Sequence, residues 1–424
     1  MKTDLDSLMQ SRNLDAIWVT GPAMHNPIMT YMSGGGNITH ADLVKKRGAE
    51  PLLFCHSIER GEAEKSGLTI KNLADYDFDA LLSQAGGDFL GATAQRYRLI
   101  FNEAGLTSGR VGVYGRLDTG ASLALFATLR RLMPDLEWVG EYGDSMFLQA
   151  MATKDEAELQ RIRRIGAITT GVVGRIAEFL TSQKVVGDIL ILGDENPLTV
   201  GEVKKHINLW LAEGGADNPE GVIFAVGQRA TVPHNTGEAD DLICLGKTIV
   251  FDIFPCEAGG GYYYDLTRTW CLGYAPDDAL ALYEDVRDVK QTIMDDAKAG
   301  AFGPDLHKRA CDLFEARGHP TVQSDPKTEA GYVHGLGHGL GLQIHARPYF
   351  GKEALEADRL APGMVFTIEP GLYYPERGIA VRLEDTVWLR PDGQVEILTP
   401  YSLDFVLQMK YKGVKRSRTR KQAK

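Results

Sequence analysis

The sequence predicts an α+β protein with a small N-terminal α/β domain and a larger C-terminal domain of two pseudo-repeated halves. Its 424 residues exceed what a single core usually supports. Up to about residue 152, short apolar runs alternate with helical segments. From residue 153 onward, an order of two helices followed by several strands occurs twice. This repeated order predicts two related halves with helices on one face of a curved sheet.

The N-terminal domain is assigned to residues 1–152. Residues 16–19, 51–55 and 110–114 are short apolar runs bounded by turn residues, which predicts buried strands. Residues 121–132 follow an apolar helical pattern that ends before a proline. Because no cluster of catalytic residue types lies in this part of the sequence, we expect the chemistry further along the chain.

The second domain is assigned to residues 153–409. The segment Thr153-Lys154-Asp155-Glu156 fits a capping box and opens a long amphipathic helix. The other helices and strands predicted for the two halves are, in chain order, a helix at 199–214, strands at 222–226, 248–254 and 262–271, helices at 277–299 and 304–317, and strands near 343, at 364–368 and at 379–384.

Composition narrows the functional classes. The 44% hydrophobic and 24% charged residues are typical of a soluble globular protein, and no apolar run reaches the ~18 residues of a membrane span. Five cysteines without a Cys-x-x-Cys pair predict a reducing cytoplasm and no thiolate zinc site. The net charge of −11 argues against nucleic acid as a partner. The basic segment 410–424 is interpreted as a solvated C-terminal tail.

Histidines and carboxylates dominate the second domain. The glycine-rich segment 333–345 contains His334, His338 and His345, and single carboxylates lie in strand-like runs on either side of it. Charged side chains are seldom buried unless they are paired or bind a metal. Carboxylate oxygen suits hard divalent cations, and imidazole adds affinity for Zn²⁺, Co²⁺ or Fe²⁺. Five residues supply the donors that a two-metal hydrolase needs: Asp252, Asp265, His338, Glu369 and Glu384.

Taken alone, each of these residues has a simpler interpretation. Asp265 fits an ion pair with Arg268, and Glu384 fits one with Arg382. A lone histidine such as His345 is more often a hydrogen-bonded core residue than a catalyst. Taken together, the order and context of the motifs favour the metal site. Three histidines then remain to bind substrate or to stabilise charge in the transition state: His234, His334 and His345.

Asp252 is followed by Asp-x-Thr-Arg-Thr at 265–269, His-Gly-Leu-Gly-His at 334–338 with a third histidine seven residues on, Thr-Ile-Glu-Pro-Gly at 367–371 and Val-Arg-Leu-Glu-Asp at 381–385. This order resembles the pita-bread-fold (creatinase/aminopeptidase-like) metallopeptidases, in the Xaa-Pro dipeptidase (prolidase) and Xaa-Pro aminopeptidase branch. The resemblance covers roughly residues 153–405. It implies a homodimeric metallopeptidase with two divalent metal ions per subunit, Mn²⁺, Zn²⁺ or Co²⁺, whose substrate is a small peptide with proline in second position.

The resemblance also implies a role for each ligand. Asp252 would bind one metal, and Asp265 and Glu384 would bridge the pair. His338 and Glu369 would complete the shell of the second metal. Glu369 would in addition move a proton from the attacking water to the departing proline nitrogen.

The remaining site residues are assigned to the substrate. The resemblance implies that His234 and His345 steady the scissile carbonyl and the proline, that His334 lines the same pocket, and that Arg382 orients the site. Arg377 is predicted to hold the free carboxylate of a dipeptide, because arginine suits bidentate recognition. Tyr264 is predicted to lie at the substrate cleft.

The chain departs from the family pattern between its first two carboxylates. The family usually has Asp-x-Gly, with the second aspartate eleven residues after the first. Here the triplet is Asp252-Ile253-Phe254 and the separation is 13 residues, with three consecutive glycines at 259–261. We expect this larger hairpin to reshape the substrate cleft and to leave the metal site intact.

Four functional hypotheses follow. The first is hydrolysis of Xaa-Pro dipeptides, and its alternative is an Xaa-Pro aminopeptidase that acts on longer peptides. A creatinase-like amidinohydrolase is disfavoured, because that branch typically lacks the full ligand set. A non-enzymatic binding module on the same scaffold is ranked last for the same reason.

Overall fold

The computed structural model describes residues 4–193 and 196–410. The predicted basic tail, apart from Lys410, lies outside the described residues. The chain divides into two compact units, the first comprising Met1–Met151 with Gly259–Gly261 and the second comprising Ala152–Ala258 with Tyr262–Lys424. None of the described helices is long and apolar enough to cross a membrane.

Unit 1 is a mixed sheet with accompanying helices. Its elements are α1 (Leu5–Ser11), β1 (Ala16–Gly21), α2 (Pro27–Ser33), β2 (Ala41–Lys46), β3 (Leu52–Cys55), α3 (Arg60–Ala63), β4 (Thr69–Asn72), α4 (Phe78–Gln84), α5 (Phe89–Glu103), β5 (Gly109–Gly115), α6 (Thr119–Leu132), β6 (Leu136–Val139) and α7 (Met146–Ala150). The strand order is β4-β3-β2-β1-β5-β6, with β1 antiparallel to β2 and parallel to β5. Every residue of β1 is buried, as expected for a central strand covered on both faces.

Trp18 of β1 lies at the centre of the core of unit 1. Its ring contacts those of Tyr97 and Phe101 at centroid distances of 4.8 and 5.2 Å, an edge-on packing that aromatic rings favour. Its indole N–H donates to Asp42 Oδ1 at 2.9 Å, so the polar end of the buried ring is satisfied.

Unit 2 contains the two halves predicted from the repeated element order. Its elements are α8 (Glu156–Thr181), β7 (Lys184–Val186), β8 (Ile189–Leu192), β9 (Asn196–Pro197), α9 (Val200–Gly214), β10 (Ala216–Asp217), β11 (Val222–Val226), β12 (Thr248–Ile253), β13 (Cys256–Glu257), β14 (Leu266–Leu272), α10 (Asp277–Asp296), α11 (Gly303–Glu315), β15 (His338–Gly339), β16 (Ala346–Tyr349), β17 (Val365–Ile368), β18 (Gly371–Tyr374), β19 (Ile379–Arg382), β20 (Asp385–Leu389), β21 (Val395–Ile397) and β22 (Val406–Leu407).

Each half places a mostly antiparallel sheet after its two helices, with β22 parallel to β14. The first half has the strand order β11-β12-β14-β22, and the second has β16-β15-β17-β20-β21 with β18 and β19 as a separate hairpin. Helix α8 packs against β14, α9 against β11, and α10 against β17, β18 and β19. The sheets therefore carry the predicted ligands while the helices support them.

The capping box of α8 lies two residues after its predicted position. Asp155 is the N-cap: its carboxylate accepts the N–H of Glu158 at 2.9 Å, and the Glu158 carboxylate accepts the N–H of Asp155 at 2.8 Å. Thr153 does not serve as the cap, because its backbone forms a β-bridge with Met364. The prediction of a box starting at Thr153 is therefore wrong by two residues, although the long helix is confirmed.

Candidate metal centre

The carboxylates of the candidate centre lie where the two halves of unit 2 meet. Asp252, on β12, is the register partner of Thr267 on β14, and Asp265 immediately precedes β14. Glu384 lies in the short break between β19 and β20. Its backbone N–H donates to the Thr267 carbonyl at 3.1 Å, and the Thr267 hydroxyl donates to its carboxylate at 2.8 Å. These bonds join a strand of the first half to the second half at the candidate centre.

His338 and Glu369 approach from the second half. The backbone N–H of His338 donates to the Thr367 hydroxyl at 3.1 Å, and its Nδ1 lies 3.1 Å from the Gly339 carbonyl. With the Nδ1 proton directed at that carbonyl, Nε2 keeps its lone pair for a ligand. Nε2 lies 3.6 Å from Asp265 Oδ2 and 3.5 Å from Glu369 Oε1. The imidazole is thus oriented toward the carboxylates.

The donor atoms fit a divalent cation. Asp265, His338 and Glu384 each offer one ligand atom, and these atoms lie within 4.8 Å of one another. One oxygen each of Asp252, Asp265 and Glu384 is buried without a hydrogen-bond partner. Leaving a buried carboxylate oxygen unsatisfied is costly, so three of them in one place fit a site that binds a cation.

The same crowding shifts the pKa values of the cluster. Burial, followed by the charges of Glu384 and Asp252, raises the pKa of Asp265 well above its usual value. Burial raises the pKa of Glu369 to about 8. Burial also lowers the pKa of His338 to about 3, which keeps the imidazole in the neutral form that binds metals. A cation among these carboxylates would favour their charged forms and reverse their shifts.

Arg382 organises one wall of the site. Its guanidinium donates to Asp252 Oδ2 at 2.6 Å, to the Tyr373 hydroxyl at 2.7 Å and to the Pro233 carbonyl at 3.2 Å. The Tyr373 hydroxyl in turn lies 3.0 Å from His334 Nε2, and His334 Nδ1 lies 2.7 Å from the carbonyl of the next residue. Both nitrogens of His334 are therefore engaged with protein atoms, which suits a positioning role better than contact with substrate.

The simpler interpretations of the predicted ligands do not match the structure. Arg268, considered as the partner of Asp265, pairs with Asp385 at 2.7 Å. Arg382, considered as the partner of Glu384, pairs with Asp252 at 2.6 Å. His345 is not a core residue, because it lines the cleft. Its ring contacts the ring of His338 at a centroid distance of 4.4 Å.

A cleft of about 820 Å³ contains the cluster. All five predicted ligands line it, and so do His234, His334, His345 and Arg382. The cleft is also lined by residues that sequence reasoning did not single out, among them Glu220, Phe254, Tyr349 and Glu353. The sequence offered little signal for these, because lone residues next to short strands have no distinctive pattern.

Two predicted substrate residues are not among those that line the cleft. After β18 the chain turns at Pro375–Arg377, and Arg377 pairs with Asp278 at 3.4 Å and stacks on the ring of Tyr374. It borders a different cavity, of about 500 Å³. Tyr264 is fully buried: it packs where a side chain on Gly166 of α8 would clash, and its hydroxyl lies 3.4 Å from the Thr399 carbonyl. The structure therefore does not bring either residue to this cleft, and their predicted contacts with substrate stay predictions.

The enlarged hairpin between the first two carboxylates is directed at α8. Glu257 pairs with Arg161 of α8 at 2.6 Å, and the Tyr262 hydroxyl donates to Glu158 at 2.6 Å. Of the residues between the two aspartates, only Phe254 lines the cleft. Phe254 belongs to the Asp252-Ile253-Phe254 triplet, so the expectation that the enlarged hairpin reshapes the cleft stays a prediction.

Tyr373 is the positioning residue that sequence reasoning missed. It lies four residues after Glu369, at a separation that places both on one face of an extended segment. That alternation was the available signal. Its weakness is that the chain between them contains Pro370, which makes a continuous strand hard to predict.

The two-half fold, with its buried carboxylates and one histidine, is the pita-bread arrangement that the sequence predicts. A prolidase structure from Pyrococcus horikoshii superposes with a TM-score of 0.69 over 94% of this chain and 97% of its own, at 21% identity, which shows the predicted fold. The model of metallopeptidase family M24 matches residues 160–391, and the chain belongs to this family.

Curated relatives are of modest identity. The probable dipeptidase PepE of Mycobacterium tuberculosis is 29% identical over 246 residues, which is 58% of this chain and 58% of PepE. The chain thus matches less than two thirds of the length of that relative. The Xaa-Pro dipeptidase of Lactobacillus delbrueckii subsp. lactis is 25% identical over 399 residues, 92% of this chain and 94% of its own length.

Proposed function

We propose that this protein is a metal-dependent hydrolase of the Xaa-Pro bond that releases the N-terminal residue, chiefly from dipeptides. The observation that supports it is the set of buried, unsatisfied carboxylate oxygens of Asp252, Asp265 and Glu384 beside His338. Membership of metallopeptidase family M24 and similarity to an Xaa-Pro dipeptidase support the same reaction class.

We infer that the five predicted ligands hold two divalent ions, Mn²⁺, Zn²⁺ or Co²⁺. Such ions supply polarisation of a carbonyl and activation of water. Glu369 takes the proton from the attacking water and delivers it to the proline nitrogen. Its side chain, 18% exposed, is open enough to reach substrate.

Histidines at the cleft orient the substrate in this proposal. His234 and His345 are the two whose rings face the cleft without the double engagement seen at His334, so they are assigned to the scissile carbonyl and the proline. An Xaa-Pro bond has no N–H and a restricted ring, so packing rather than a hydrogen bond recognises it. Such packing discriminates by only ~1–3 kcal/mol, and some cleavage of other peptides is expected.

An Xaa-Pro aminopeptidase that acts on longer peptides is the second candidate. Among the described residues that line the cleft, the only arginine or lysine is Arg382, and its guanidinium is committed to Asp252. A dipeptide carboxylate therefore has no free guanidinium to bind, whereas a longer peptide carries no charge at that position. The 820 Å³ cleft has room for more than two residues.

Metal exchange with matched substrates tests both candidates. The protein is stripped with chelator, reloaded with Mn²⁺, Co²⁺ or Zn²⁺ separately, and assayed on Ala-Pro, Ala-Pro-Ala and Ala-Ala by released alanine. Cleavage of Ala-Pro alone supports the dipeptidase, and faster cleavage of Ala-Pro-Ala supports the aminopeptidase. No cleavage with any metal refutes both. An Asp265→Asn variant should lose bound metal, measured by mass spectrometry, together with activity.

The remaining expectations keep the form of proposals. We infer that residues 1–152 and 153–409 form separate domains, that two chains associate as a homodimer, and that the protein is cytoplasmic. The five cysteines are all free, which suits a reducing compartment. Light scattering during size-exclusion chromatography tests the dimer directly.

A further inference from the structure

We propose that Glu220 and Glu353 make the substrate cleft selective for peptides whose N-terminal residue has a cationic side chain, lysine or arginine. This inference rests on the proposed Xaa-Pro hydrolysis and adds the class of residue that precedes the proline. Both carboxylates line the cleft that contains the candidate metal centre. The cleft is identified as a ligand site independently of them, through the buried unsatisfied oxygens of Asp252, Asp265 and Glu384.

The two glutamates lie on different walls. Glu220 belongs to the turn that precedes β11, the strand that pairs with the Asp252 strand. In this turn the N–H of Gly221 donates to the Asn218 carbonyl at 3.3 Å, and Gly221 has a φ of +82° that glycine adopts without strain. Glu353 follows β16, whose Tyr349 is the register partner of His338. Each glutamate therefore lies next to a strand that pairs with a ligand-bearing strand: Glu220 next to β11, the partner of β12, and Glu353 next to β16, the partner of β15.

The loop that carries Glu353 is anchored rather than loosely placed. The Asp358 carboxylate is fully buried and accepts the N–H groups of Tyr349 at 3.1 Å and Leu355 at 2.8 Å, on either side of Glu353. It also pairs with the buried guanidinium of Arg347 at 2.5 Å. These contacts define the path of the loop, so the position of Glu353 at the cleft follows from the structure of its own segment.

The charge balance of the cleft favours a cationic ligand group. Glu220 and Glu353 are both exposed at the cleft. Neither forms an ion pair with any residue that the structure describes. The one guanidinium in the lining, that of Arg382, pairs with Asp252 at 2.6 Å. Two divalent ions offset the four ligand carboxylates, and Arg382 adds a positive charge, so Glu220 and Glu353 are the negative charges left in the lining for a substrate. Clefts lined by one sign of charge focus the field on oppositely charged groups.

Substrates of equal length and different charge test the proposal. Metal-loaded protein is assayed on Lys-Pro, Met-Pro and Glu-Pro, with Ala-Pro as the reference. We expect kcat/KM for Lys-Pro to exceed that for Met-Pro about fivefold, and Glu-Pro to be the poorest, because one partly exposed charge pair changes an equilibrium by up to about fivefold. In ~1 M salt, where the Debye length is ~3 Å, the Lys-Pro preference should shrink.

The decisive readout is the Lys-Pro to Met-Pro ratio in Glu220→Gln, Glu353→Gln and the double variant. The ratio should fall in each single variant and approach one in the double variant. Glu329→Gln, which removes an exposed acid of the same unit that does not line the cleft, should keep the wild-type ratio. An unchanged ratio in the double variant, or no preference in the wild type, overturns the proposal.

A binding measurement separates this proposal from the proposed function. If Ala-Pro is not cleaved with any metal, the proposed hydrolysis fails, and Lys-Pro and Met-Pro are compared by titration calorimetry on the same metal-loaded protein. Tighter binding of Lys-Pro that is lost in the double variant supports the charge selectivity even then. Equal binding of the two peptides overturns it.

Discussion

Removing metal should make the stability of unit 2 fall as pH rises above neutrality. Without a cation, burial raises the pKa of Glu369 to about 8, from an ordinary value near 4.5. A carboxyl group whose pKa is raised on folding holds its proton in the folded state and releases it on unfolding. The free energy of unfolding therefore falls progressively as pH rises between 4.5 and about 8. Asp265 and Glu384, whose pKa values are also raised by burial, act in the same direction.

The histidines of the site limit the useful pH window. Burial lowers the pKa values of His334 and His338 to about 3. Because unfolded histidine titrates near 6.5, these two groups make the fold more stable as pH rises, and this opposing effect fades over about one pH unit above 6.5. From pH 6.5 to 8, Glu369 alone accounts for a loss of about 1.5 kcal/mol, of which the two histidines offset about 0.8 kcal/mol. Asp265 and Glu384, with their raised pKa values, add to the loss.

Thermal unfolding of chelated and metal-loaded protein at pH 6.5, 7.0, 7.5 and 8.0 measures this effect. The chelated protein should lose stability across the series, and the loaded protein should lose much less. Glu369→Gln, which cannot ionise, should flatten part of the slope of the chelated protein. A chelated Tm that is constant or rises from pH 6.5 to 8 would refute the reasoning that unbalanced carboxylates dominate the metal-free site.

Three further predictions concern single contacts. Tyr373→Phe removes the hydroxyl between Arg382 and His334 and should lower kcat/KM for Ala-Pro about 10- to 100-fold with little change in metal content, because two buried polar groups lose a partner worth ~1–3 kcal/mol. Asp385→Asn leaves the buried cations Arg268 and Lys290 without their counter-charge and should lower the free energy of unfolding by about 3–5 kcal/mol, measured by urea unfolding. A decrease below ~1 kcal/mol would contradict a buried ion pair there. Arg377→Ala should change kcat/KM for Ala-Pro by less than about twofold, since its guanidinium pairs at a different cavity, and a tenfold loss would restore its predicted role at the substrate.

The sequence predicted most elements of unit 2, because their periodicity is strong and their ends carry turn residues, but residues 341–345, around the strand expected near 343, form bends. Residues 222–226 form a strand as predicted. The helix expected from Thr199 is capped by that residue and ends at the left-handed Gly215. The strands that carry ligands were predicted too long: the expected strand 379–384 ends at Arg382, and Glu384 lies in the break that follows. Apolar alternation continues through such a break, so pattern alone does not reveal it.

The candidate site was predicted as a group of residue types rather than as a geometry. Lone carboxylates in apolar strands signal that something must balance them, and this argument located the five ligand candidates. Which arginine meets which carboxylate was not predictable, because pairing depends on the register between strands more than 100 positions apart. Arg382 was considered as the partner of Glu384, two residues away, and instead pairs with Asp252, 130 positions away. The side-chain direction of Arg377 depends on a short turn in the same way.

The bonds between Thr267 and Glu384 have a consequence for how the protein is made. They join segments 117 residues apart in the chain, so the candidate centre has no complete donor set until nearly all of unit 2 has been synthesised. Contacts of such long sequence separation form late, after the entropy of closing the intervening chain has been overcome. A metal ion that binds only the fully folded site would then stabilise the product of the last stage of folding. A nascent chain that ends before Glu384 should accordingly remain unable to retain the ions, however well its first half has folded.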